Sequence, residues 1–408
     1  MDFDSVLMSV GSSMYTELAD SHPKAVSIIE KEEFYIKPDF NCIKNEPESK
    51  IILFSAPGAT GKSALAHYLS YIKHALLWDL SLETIASHSF TGMLVESLGP
   101  HMFSQFVAGL NNGQAVLVID ALDEAEMISG RVAVETLLSD LRSIVDHARS
   151  PNIILCARTE TAHFIRDYYN RPETAIPISQ YEISFFEEHN AIEFIKQRIS
   201  ITKTITSVTT KWIESQFGQI KLLLDNNKEA IHSFLGYAPV LEALAVYFRE
   251  GSNDIHLLHQ TASSGNSTDI FNEIMERILK REQSKVINGF REKCQKDYPN
   301  FDQWDIVYSI EEQVKRLANF LIFNSTDYND FVLEDLPREL SAEYGEIIES
   351  FLKDHPFVRI SEKNGAVCAD FTGPAFRDYV LAKMMTMDDS DDYDMYAQEY
   401  FQEHSERL

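Results

Sequence analysis

One short stretch, LFSAPGATGKSALAHYL at residues 53–69, constrains the fold more than any other part of the 408-residue chain. An apolar run ends in small residues, a Gly-Lys-Ser triplet follows, and apolar residues then recur at helical spacing. In the pattern G-x-x-x-x-G-K-[ST], backbone amides surround phosphate oxygens at the positive end of a helix dipole. The stretch therefore predicts a strand, a phosphate-binding loop and a helix, with Ala56 in the place of the first glycine.

The residue types of the predicted loop have separate chemical roles. Gly58 and Gly61 supply backbone freedom, Lys62 can reach the β- and γ-phosphates, and the Ser63 hydroxyl can ligate Mg²⁺. Ala56 weakens the match only slightly, because a small side chain suffices at the strand exit if φ is negative there. The predicted nucleotide contacts are Ala56, Pro57, Gly58, Ala59, Thr60, Gly61, Lys62, Ser63 and Ala64.

Apolar runs alternate with helical patterns from residue 49 to about residue 185. The runs are IILFSA, HALLWDL, AVLVIDA, NIILCAR and AIPISQYEI. Runs that are apolar on both faces and separated by helices are typical of a parallel sheet that is covered on both sides. We therefore predict an α/β fold with a P-loop parallel-sheet core.

The chain is long enough for more than one hydrophobic core. Helical patterns dominate beyond the predicted sheet, and a Gly/Ser/Asn/Thr-rich stretch indicates a linker. Later, two short strand-like runs around Asn364-Gly365 lie between helical patterns, which is the order of a winged-helix unit. The predicted division is a lead-in at 1–48, a P-loop nucleotide-binding core at 49–185, a small helical domain at 186–262, a winged-helix-like domain at 263–385 and an acidic tail at 386–408.

Charged residues follow two of the predicted strands. Asp120 ends AVLVID and should emerge beside the loop, where a bound Mg²⁺ needs an anionic partner. Asp123 and Glu124 come one turn later, and they either orient an attacking water or cap the next helix. Arg158 ends NIILCAR, where it either senses a γ-phosphate or forms a surface salt bridge. The predicted catalytic residues are Lys62, Asp123, Glu124 and Arg158, and the predicted metal ligands are Ser63 and Asp120.

Taken together, SAPGATGKSAL, LVIDALDEAE, IILCARTE, LGYAPVLEALA and ADFTGPAFRDYVLAKMM resemble the STAND class of signal-transduction P-loop NTPases, closest to its NACHT branch. The pentad from Asp120 to Glu124 is the most specific match. The resemblance implies a core, a helical domain and a winged-helix domain that clamp ADP. It also implies that Tyr35 and Pro38 lie by the adenine and that Pro239 packs near the nucleotide. From its residue type alone, Pro239 is equally a proline of a helix start.

One departure from the NACHT pattern precedes the final helix. The family often has Phe-Thr-His there, with the histidine on the ADP phosphate, whereas this chain has Phe371-Thr372-Gly373. Either Thr372 or another residue takes that role, or the resting state is held differently. The family also usually carries an effector domain before the core and a repeat-built sensor after it. The first 32 residues are too few for an effector domain with its own core, and nothing after residue 385 can form repeats. The chain therefore resembles the switch module alone, either truncated or working with separate partners.

The resemblance predicts an ATP/ADP-dependent switch of immune or anti-phage defence that hydrolyses ATP slowly and oligomerises head to tail when activated. Its cofactor would be Mg²⁺, and its partners would be nucleotide and separate effector or sensor proteins. Two alternatives stay open. One is a non-catalytic scaffold with permanently bound nucleotide, and the other is a DNA-associated ATPase of the AAA+ type.

The charge and cysteine patterns limit the choice of partners and compartment. A net charge of −27 repels nucleic-acid backbones, and the predicted recognition helix carries only Arg377 and Lys383 as cations, offset by Asp378. We therefore expect no nucleic-acid partner. No basic-then-apolar leader, membrane-length apolar run or CxxC pair is present in the sequence. These features predict a cytoplasmic protein with reduced thiols and no membrane partner.

Overall fold

The structure is a computed structural model, and its described residues form two compact units, Met1–Phe185 and Phe186–Leu408. Each unit buries apolar side chains of its own. The described residues are 3–13, 25–29, 35–82, 84–86, 88–145, 148, 150–201, 206–223, 228–251, 267–294, 308–322, 351–363 and 366–387.

The first unit is built on a seven-stranded sheet. Its strands are β1 (Val26–Ile28), β2 (Phe40–Lys44), β3 (Ile51–Ala56), β4 (Leu76–Asp79), β5 (Leu117–Asp120), β6 (Ile153–Arg158) and β7 (Ile178–Ile183). The order across the sheet is β1-β4-β5-β6-β3-β7-β2. The inner strands β4, β5, β6, β3 and β7 pair in parallel, and the edge strands β1 and β2 pair antiparallel. The predicted α/β fold with a parallel core is confirmed, with all five apolar runs in the sheet.

Helices cover both faces of this sheet. They are α1 (Phe3–Ser9), α2 (Lys62–Lys73), α3 (Ser89–Asn112), α4 (Leu122–Ser129), α5 (Arg131–Val145) and α6 (Thr159–Asn170). Successive residues of β3 point to opposite sides, so Ile51 and Leu53 enter one core cluster and Ile52 and Phe54 enter the other. Helices cover both clusters, which is why β3, β5 and β6 are apolar at nearly every position.

The strand order places a crevice beside β3. The chain runs from β3 to β4, returns through β5 and β6 to the near side of β3, and then crosses to β7 on the far side. In open α/β sheets, ligands bind outside the carboxyl ends of the strands at such a reversal of direction. The carboxyl ends of β3, β5 and β6 are therefore the expected position of a site.

The first 48 residues differ from the polar lead-in that the sequence predicted. Their described parts contain α1 and both antiparallel edge strands of the sheet. The backbone also docks closely, because Ser13 N donates to Lys73 O at 2.8 Å. A Cβ on Gly11 would lie 2.5 Å from Gly113 O, so this approach needs glycine. These residues are therefore part of the first unit.

The second unit is mainly helical. Its helices are α7 (Glu188–Ser200), α8 (Ser207–Leu223), α9 (Lys228–Leu235), α10 (Ala238–Gly251), α11 (Ser267–Cys294), α12 (Ile310–Ile322) and α13 (Pro374–Thr386), and its strands are β8 (Val358–Lys363) and β9 (Ala366–Phe371). The two strands pair antiparallel, as predicted, with the Asn364-Gly365 turn outside the described residues. Residues 252–266, 295–307, 323–350 and the tail from 388 onward also lie outside the described part, so the winged-helix-like arrangement stays a prediction.

Aromatic rings form the centre of the second unit. Phe376 of α13 lies 5.5 Å from Phe234, 5.9 Å from Tyr237 and 4.6 Å from Phe357, measured between ring centroids. These contacts join α9, the start of α10 and the residue before β8 to α13. Among the described helices of the whole chain, none is long and apolar enough to cross a membrane.

Candidate functional site

The predicted phosphate-binding loop connects β3 to α2. Gly61 precedes the helix with φ 93° and ψ 24°, a left-handed conformation that favours glycine. Ala59 also has a positive φ of 56°, and Thr60 Oγ1 donates to Pro57 O at 2.8 Å, so the loop curls back on itself. Ala56 is fully buried at the end of β3 and is not among the described residues with a positive φ. Alanine in place of the first glycine is therefore compatible with the loop.

Lys62 opens α2 within this loop. Its Nζ donates to Pro57 O at 3.3 Å. Burial lowers the pKa of Lys62, while the charges of Asp123 and Asp120 act in the opposite direction and the Arg158 charge adds to the lowering. Any further anion that enters the site would stabilise the charged form of this lysine.

Asp120 and Ser63 meet at the carboxyl end of β5. Asp120 is only 4% exposed, and it accepts a hydrogen bond from the Ser63 side chain. Burial raises the pKa of Asp120, and the Asp79 charge adds to this, whereas the Ser63 hydrogen bond, the Ala121 backbone and the Lys62 charge oppose it. The other carboxylate oxygen, Oδ1, is buried without a hydrogen-bond partner among the described residues.

The residues around this orphaned oxygen fit a magnesium ion. Mg²⁺ prefers oxygen ligands and keeps several of its waters, so a hydroxyl and one carboxylate are a sufficient protein contribution. Within the described ranges, no group of three or more His, Cys, Asp or Glu side chains is arranged to hold a metal ion. Ser63 and Asp120 together would hold Mg²⁺ beside a phosphate group, and their role as metal ligands stays a prediction.

Asp123 and Arg158 form a largely buried ion pair at the next strand end. Arg158 Nε lies 2.7 Å from Asp123 Oδ2, and the Arg158 backbone N donates to Asp123 Oδ1 at 3.1 Å. Both oxygens of Asp123 thus hold the end of β6. The side chains are 17% and 10% exposed, so this is not the surface salt bridge that the sequence left open. Helix α4 begins without a side-chain cap among the described residues, which leaves Asp123 outside a capping role.

Two acidic residues belong to this site although the sequence analysis did not single them out. Asp79 ends β4 and lies opposite Asp120 in the register of β4 and β5. Glu160 lies in the first turn of α6, where burial raises its pKa; the charges of Arg158 and Lys62 oppose this rise, and Asp123 adds to it. The predicted Glu124 lies half-buried in the first turn of α4. Their positions directly after strands, in WDLS and ARTE, are the signal that could have found Asp79 and Glu160.

The predicted adenine residues lie in the same unit as the loop. Tyr35 stacks on Tyr68 of α2 with ring centroids 4.4 Å apart and planes 20° apart. The Tyr35 hydroxyl is buried with no hydrogen-bond partner in the described part of the chain, and burial raises its pKa well above the usual value. Pro38 is buried three residues later. Their place beside an adenine stays a prediction.

Three residues that the resemblance connects with the nucleotide lie in the second unit. Pro239 is in the first turn of α10, where a missing N–H costs little. Thr372 is buried and its Oγ1 donates to Pro356 O at 2.8 Å, so that hydroxyl is engaged within the unit. A Cβ on Gly373 would lie 2.7 Å from Ser233 Oγ and 3.2 Å from Ser233 Cβ, so a histidine there would require Ser233 to move. The nucleotide role of Pro239 stays a prediction.

The first unit has the fold of a P-loop NTPase. A loop with Gly61, Lys62 and Ser63 joins a buried parallel strand to a helix, and a second parallel strand ends in Asp120 beside it. The strand between them, β6, carries Arg158 to the same edge. Searches found no matching protein-family model and no matching curated protein.

Several solved structures are similar to this chain. A Walker-type ATPase of Pyrococcus abyssi is 15% identical, with 81% of this chain and 90% of that chain covered and a TM-score of 0.41. The ORC2 protein of Aeropyrum pernix is 13% identical, with 83% and 89% covered and a TM-score of 0.36. The RuvB Holliday junction branch migration motor of Thermotoga maritima is 14% identical, with 81% and 87% covered and a TM-score of 0.34. At these identities the likeness concerns the fold alone.

Proposed function

We propose that this chain is an ATP/ADP-dependent molecular switch that hydrolyses ATP slowly, in the manner of the STAND and NACHT-like NTPases that its motifs resemble. The observation that carries the proposal is the pairing of the two cations of the site. Lys62 donates to a carbonyl of its own loop, and Arg158 pairs with Asp123. Both cations can bind the γ-phosphate of ATP in place of these partners. ADP has no γ-phosphate and cannot replace them in this way.

The exchange of partners gives ATP and ADP different effects on the protein. Moving a switch from 1:99 to 99:1 needs about 5.5 kcal/mol of differential binding. Charge-assisted hydrogen bonds contribute about 1.5–3 kcal/mol each, so contacts of Lys62 and Arg158 with the γ-phosphate supply a good part of this. Mg²⁺ held by Ser63 and Asp120 would neutralise charge on the β- and γ-phosphates. The remainder is assigned to a trigger or partner protein.

The slow rate of ATP hydrolysis in this proposal follows from the contacts between Asp123 and Arg158. Both of its oxygens hold Arg158, so Asp123 is not placed to accept a proton from an attacking water. Glu124 in the first turn of α4 and Glu160 in the first turn of α6 are two further carboxylates that follow β5 and β6. Burial raises the pKa of Glu160, which brings this carboxylate closer to the range suited to a general base.

The biological setting of the proposal is immune or anti-phage signalling in which ATP-bound chains associate head to tail. It rests on the resemblance of the Asp120-to-Glu124 pentad and its companion motifs to the NACHT branch. Separate effector or sensor proteins would supply the trigger and the output. A closed head-to-tail ring or an open filament are the two assemblies that such an interface can produce.

The test of nucleotide binding uses calorimetry with ATP and ADP on the wild-type chain and on Lys62→Ala. We expect the variant to lose measurable affinity for both nucleotides and to keep its circular dichroism spectrum. Lys44→Ala is the matched control, because it removes a half-exposed lysine from the edge strand β2. Mass spectrometry of nucleotide that co-purifies with the wild-type chain completes the test. Wild-type affinity in Lys62→Ala would remove the site assignment.

A permanently loaded, non-catalytic scaffold is the second candidate, and the engagement of Asp123 is the observation that favours it. Measuring phosphate release from ATP separates the two candidates. A scaffold releases no phosphate, even when candidate effector or sensor proteins are added in excess. A DNA-associated ATPase is disfavoured by α13. Lys383 lies 3.4 Å from Glu276 and over the ring of Tyr379, so one of the two cations of that helix already has an anionic partner.

A further inference from the structure

Asp79 is fixed beside the buried carboxylate of the site. It ends β4 and lies directly opposite Asp120 in the parallel pairing of β4 and β5. Neighbouring strands are about 4.8 Å apart, and residues in register point to the same side of the sheet. Oδ1 of Asp79 accepts hydrogen bonds from Ser81 N at 3.0 Å and Ser81 Oγ at 2.7 Å. The carboxylate is therefore oriented by a turn instead of moving freely in solvent.

Two carboxylates in this arrangement repel each other. Like charges opposite one another on neighbouring strands are destabilising, and Asp120 is 4% exposed, so water screens the pair poorly. Asp120 Oδ1 adds to the cost, because it is buried with no hydrogen-bond partner in the part of the chain that the structure describes. A cation between the strand ends removes the repulsion and satisfies the oxygen together. The arrangement suits an ion that is shared by β4 and β5.

We propose that Asp79 is a positioning residue of the Mg²⁺ site, holding through water the ion that Ser63 and Asp120 ligate. The inference rests on the proposed nucleotide function and extends it to β4. Mg²⁺ gives up its waters reluctantly, and those waters donate hydrogen bonds to nearby anions. The Ser81 turn leaves Asp79 with a fixed direction, so it can accept such a bond with little further ordering.

A purely structural role for Asp79 makes a different prediction. If Asp79 only shapes the turn, Asp79→Asn keeps the Oδ1 acceptor for Ser81 and changes nothing. If Asp79 supports the ion, the same variant removes the charge and weakens metal binding. Ser81→Ala gives the converse change, since it keeps the charge and removes one of the bonds that orient it. Asp167→Asn is the control, because it removes an exposed carboxylate from α6 in the same unit.

The experiment titrates Mn²⁺ into the full chain and follows free Mn²⁺ by electron paramagnetic resonance, without nucleotide and with ADP. We expect Asp79→Asn to bind Mn²⁺ about tenfold more weakly or worse, which is the range for loss of a group that supports metal ligands. Ser81→Ala should show a smaller loss, and Asp167→Asn none. ADP affinity in EDTA should stay at the wild-type value in all three variants. The metal-free melting temperature of Asp79→Asn should not fall, because the substitution removes the repulsion between the two carboxylates.

The outcomes separate this inference from the proposed function. Wild-type Mn²⁺ affinity in Asp79→Asn overturns the role of Asp79, even where Lys62→Ala abolishes nucleotide binding as expected. A wild-type chain that binds no nucleotide overturns the proposed function, while the nucleotide-free Mn²⁺ titration still decides whether Asp79 supports a cation. The two variants Asp167→Asn and Asp79→Asn could also lose Mn²⁺ affinity equally. That result would show that only the net charge of the chain matters, and it would overturn the inference as well.

Discussion

Asp123 and Arg158 form the contact on which discrimination between ATP and ADP depends in the proposed switch. Their ion pair, 2.7 Å between Nε and Oδ2, engages the Arg158 guanidinium, whose charge also acts on Lys62 of the loop. The backbone N–H of Arg158 adds a second bond to the same carboxylate. A γ-phosphate must therefore compete with Asp123, and the strength of this pair sets how strongly ATP is preferred.

Weakening the pair should raise the preference for ATP. Asp123→Asn keeps the Oδ1 acceptor for the Arg158 backbone and removes the charge, so the ratio of ATP to ADP affinity should rise about tenfold, since such charge-assisted bonds contribute about 1.5–3 kcal/mol. Arg158→Ala should lower the ratio. Calorimetry with both nucleotides measures it. Glu135→Gln, which breaks the more exposed pair with Arg171, is the control. A ratio that falls in Asp123→Asn contradicts the competition.

Gly373 shows how a missing motif residue can reflect packing. Its φ of −166° is extended backbone that any residue adopts, so the conformation does not require glycine. The limited space favours glycine, because Ser233 of α9 lies against this position. From the sequence, the absent histidine left open whether Thr372 or another residue takes its role or the resting state is held differently. The contact gives a physical reason for the glycine that lies inside the second unit.

The contact predicts a coupled pair of substitutions. Gly373→Ala should lower the free energy of unfolding by about 1–3 kcal/mol, because the new Cβ overlaps Ser233. In a Ser233→Gly background, the same substitution should cost almost nothing. Urea titrations of the four proteins in the cycle measure the coupling. Gly218→Ala in α8 is the control, since a Cβ there meets no described atom within 4 Å. Equal costs in both backgrounds contradict the packing explanation.

The inner strands β3, β4, β5 and β6 could be predicted from the sequence because each contains an apolar run that is followed by a helical pattern. The edge strands could not. β1 has three residues, and β2 reads FNCIK with mostly exposed side chains, so neither shows the apolar run or the alternation that marks a strand. Both depend on pairing with β4 and β7, which are far away in the sequence. Such pairing is a tertiary effect that local patterns do not encode.

The site shows the same division. Lys62, Ser63 and Asp120 belong to a spacing whose chemistry is recognisable in one sequence, and the structure brings them together with Asp123 and Arg158. Asp79 and Glu160 have no such spacing. They join the site because parallel strands end at one edge of the sheet, and that requires the strand order, with β4 beside β5 and β6 beside β3. Strand order is the part of the fold that the sequence did not specify.

At the scale of the whole molecule, the two units respond to different conditions. In the proposed function, nucleotide and Mg²⁺ bind the first unit, whereas a buried histidine makes the stability of the second unit depend on pH. His355 is 4% exposed; its Nδ1 accepts from Phe357 N at 3.0 Å and its Nε2 lies 3.2 Å from Gln313 Oε1. Both ring nitrogens are satisfied in the neutral form. A second proton would displace the bond from the Phe357 backbone.

Burial lowers the pKa of His355 from 6.5 to about 4. The charge of Glu282 opposes this shift, while Arg281 and Lys285 add to it. Because the unfolded chain binds the proton more tightly, this histidine contributes full stability above pH 6.5, and the contribution is lost as the pH falls from 6.5 towards 4. The free energy of unfolding falls by at most about 3 kcal/mol over this range, since each pKa unit corresponds to 1.36 kcal/mol.

We therefore expect hydrogen exchange of α12 amides in the second unit to accelerate as the pH falls from 6.5 to 4, after correction for the intrinsic rate. His355→Asn keeps a short polar side chain and cannot titrate, so its stability should be lower at neutral pH and nearly constant across this range. Amides of β5 in the first unit serve as the internal control for general acid effects. An unchanged pH profile in His355→Asn would show that another group, such as Glu282, carries the dependence.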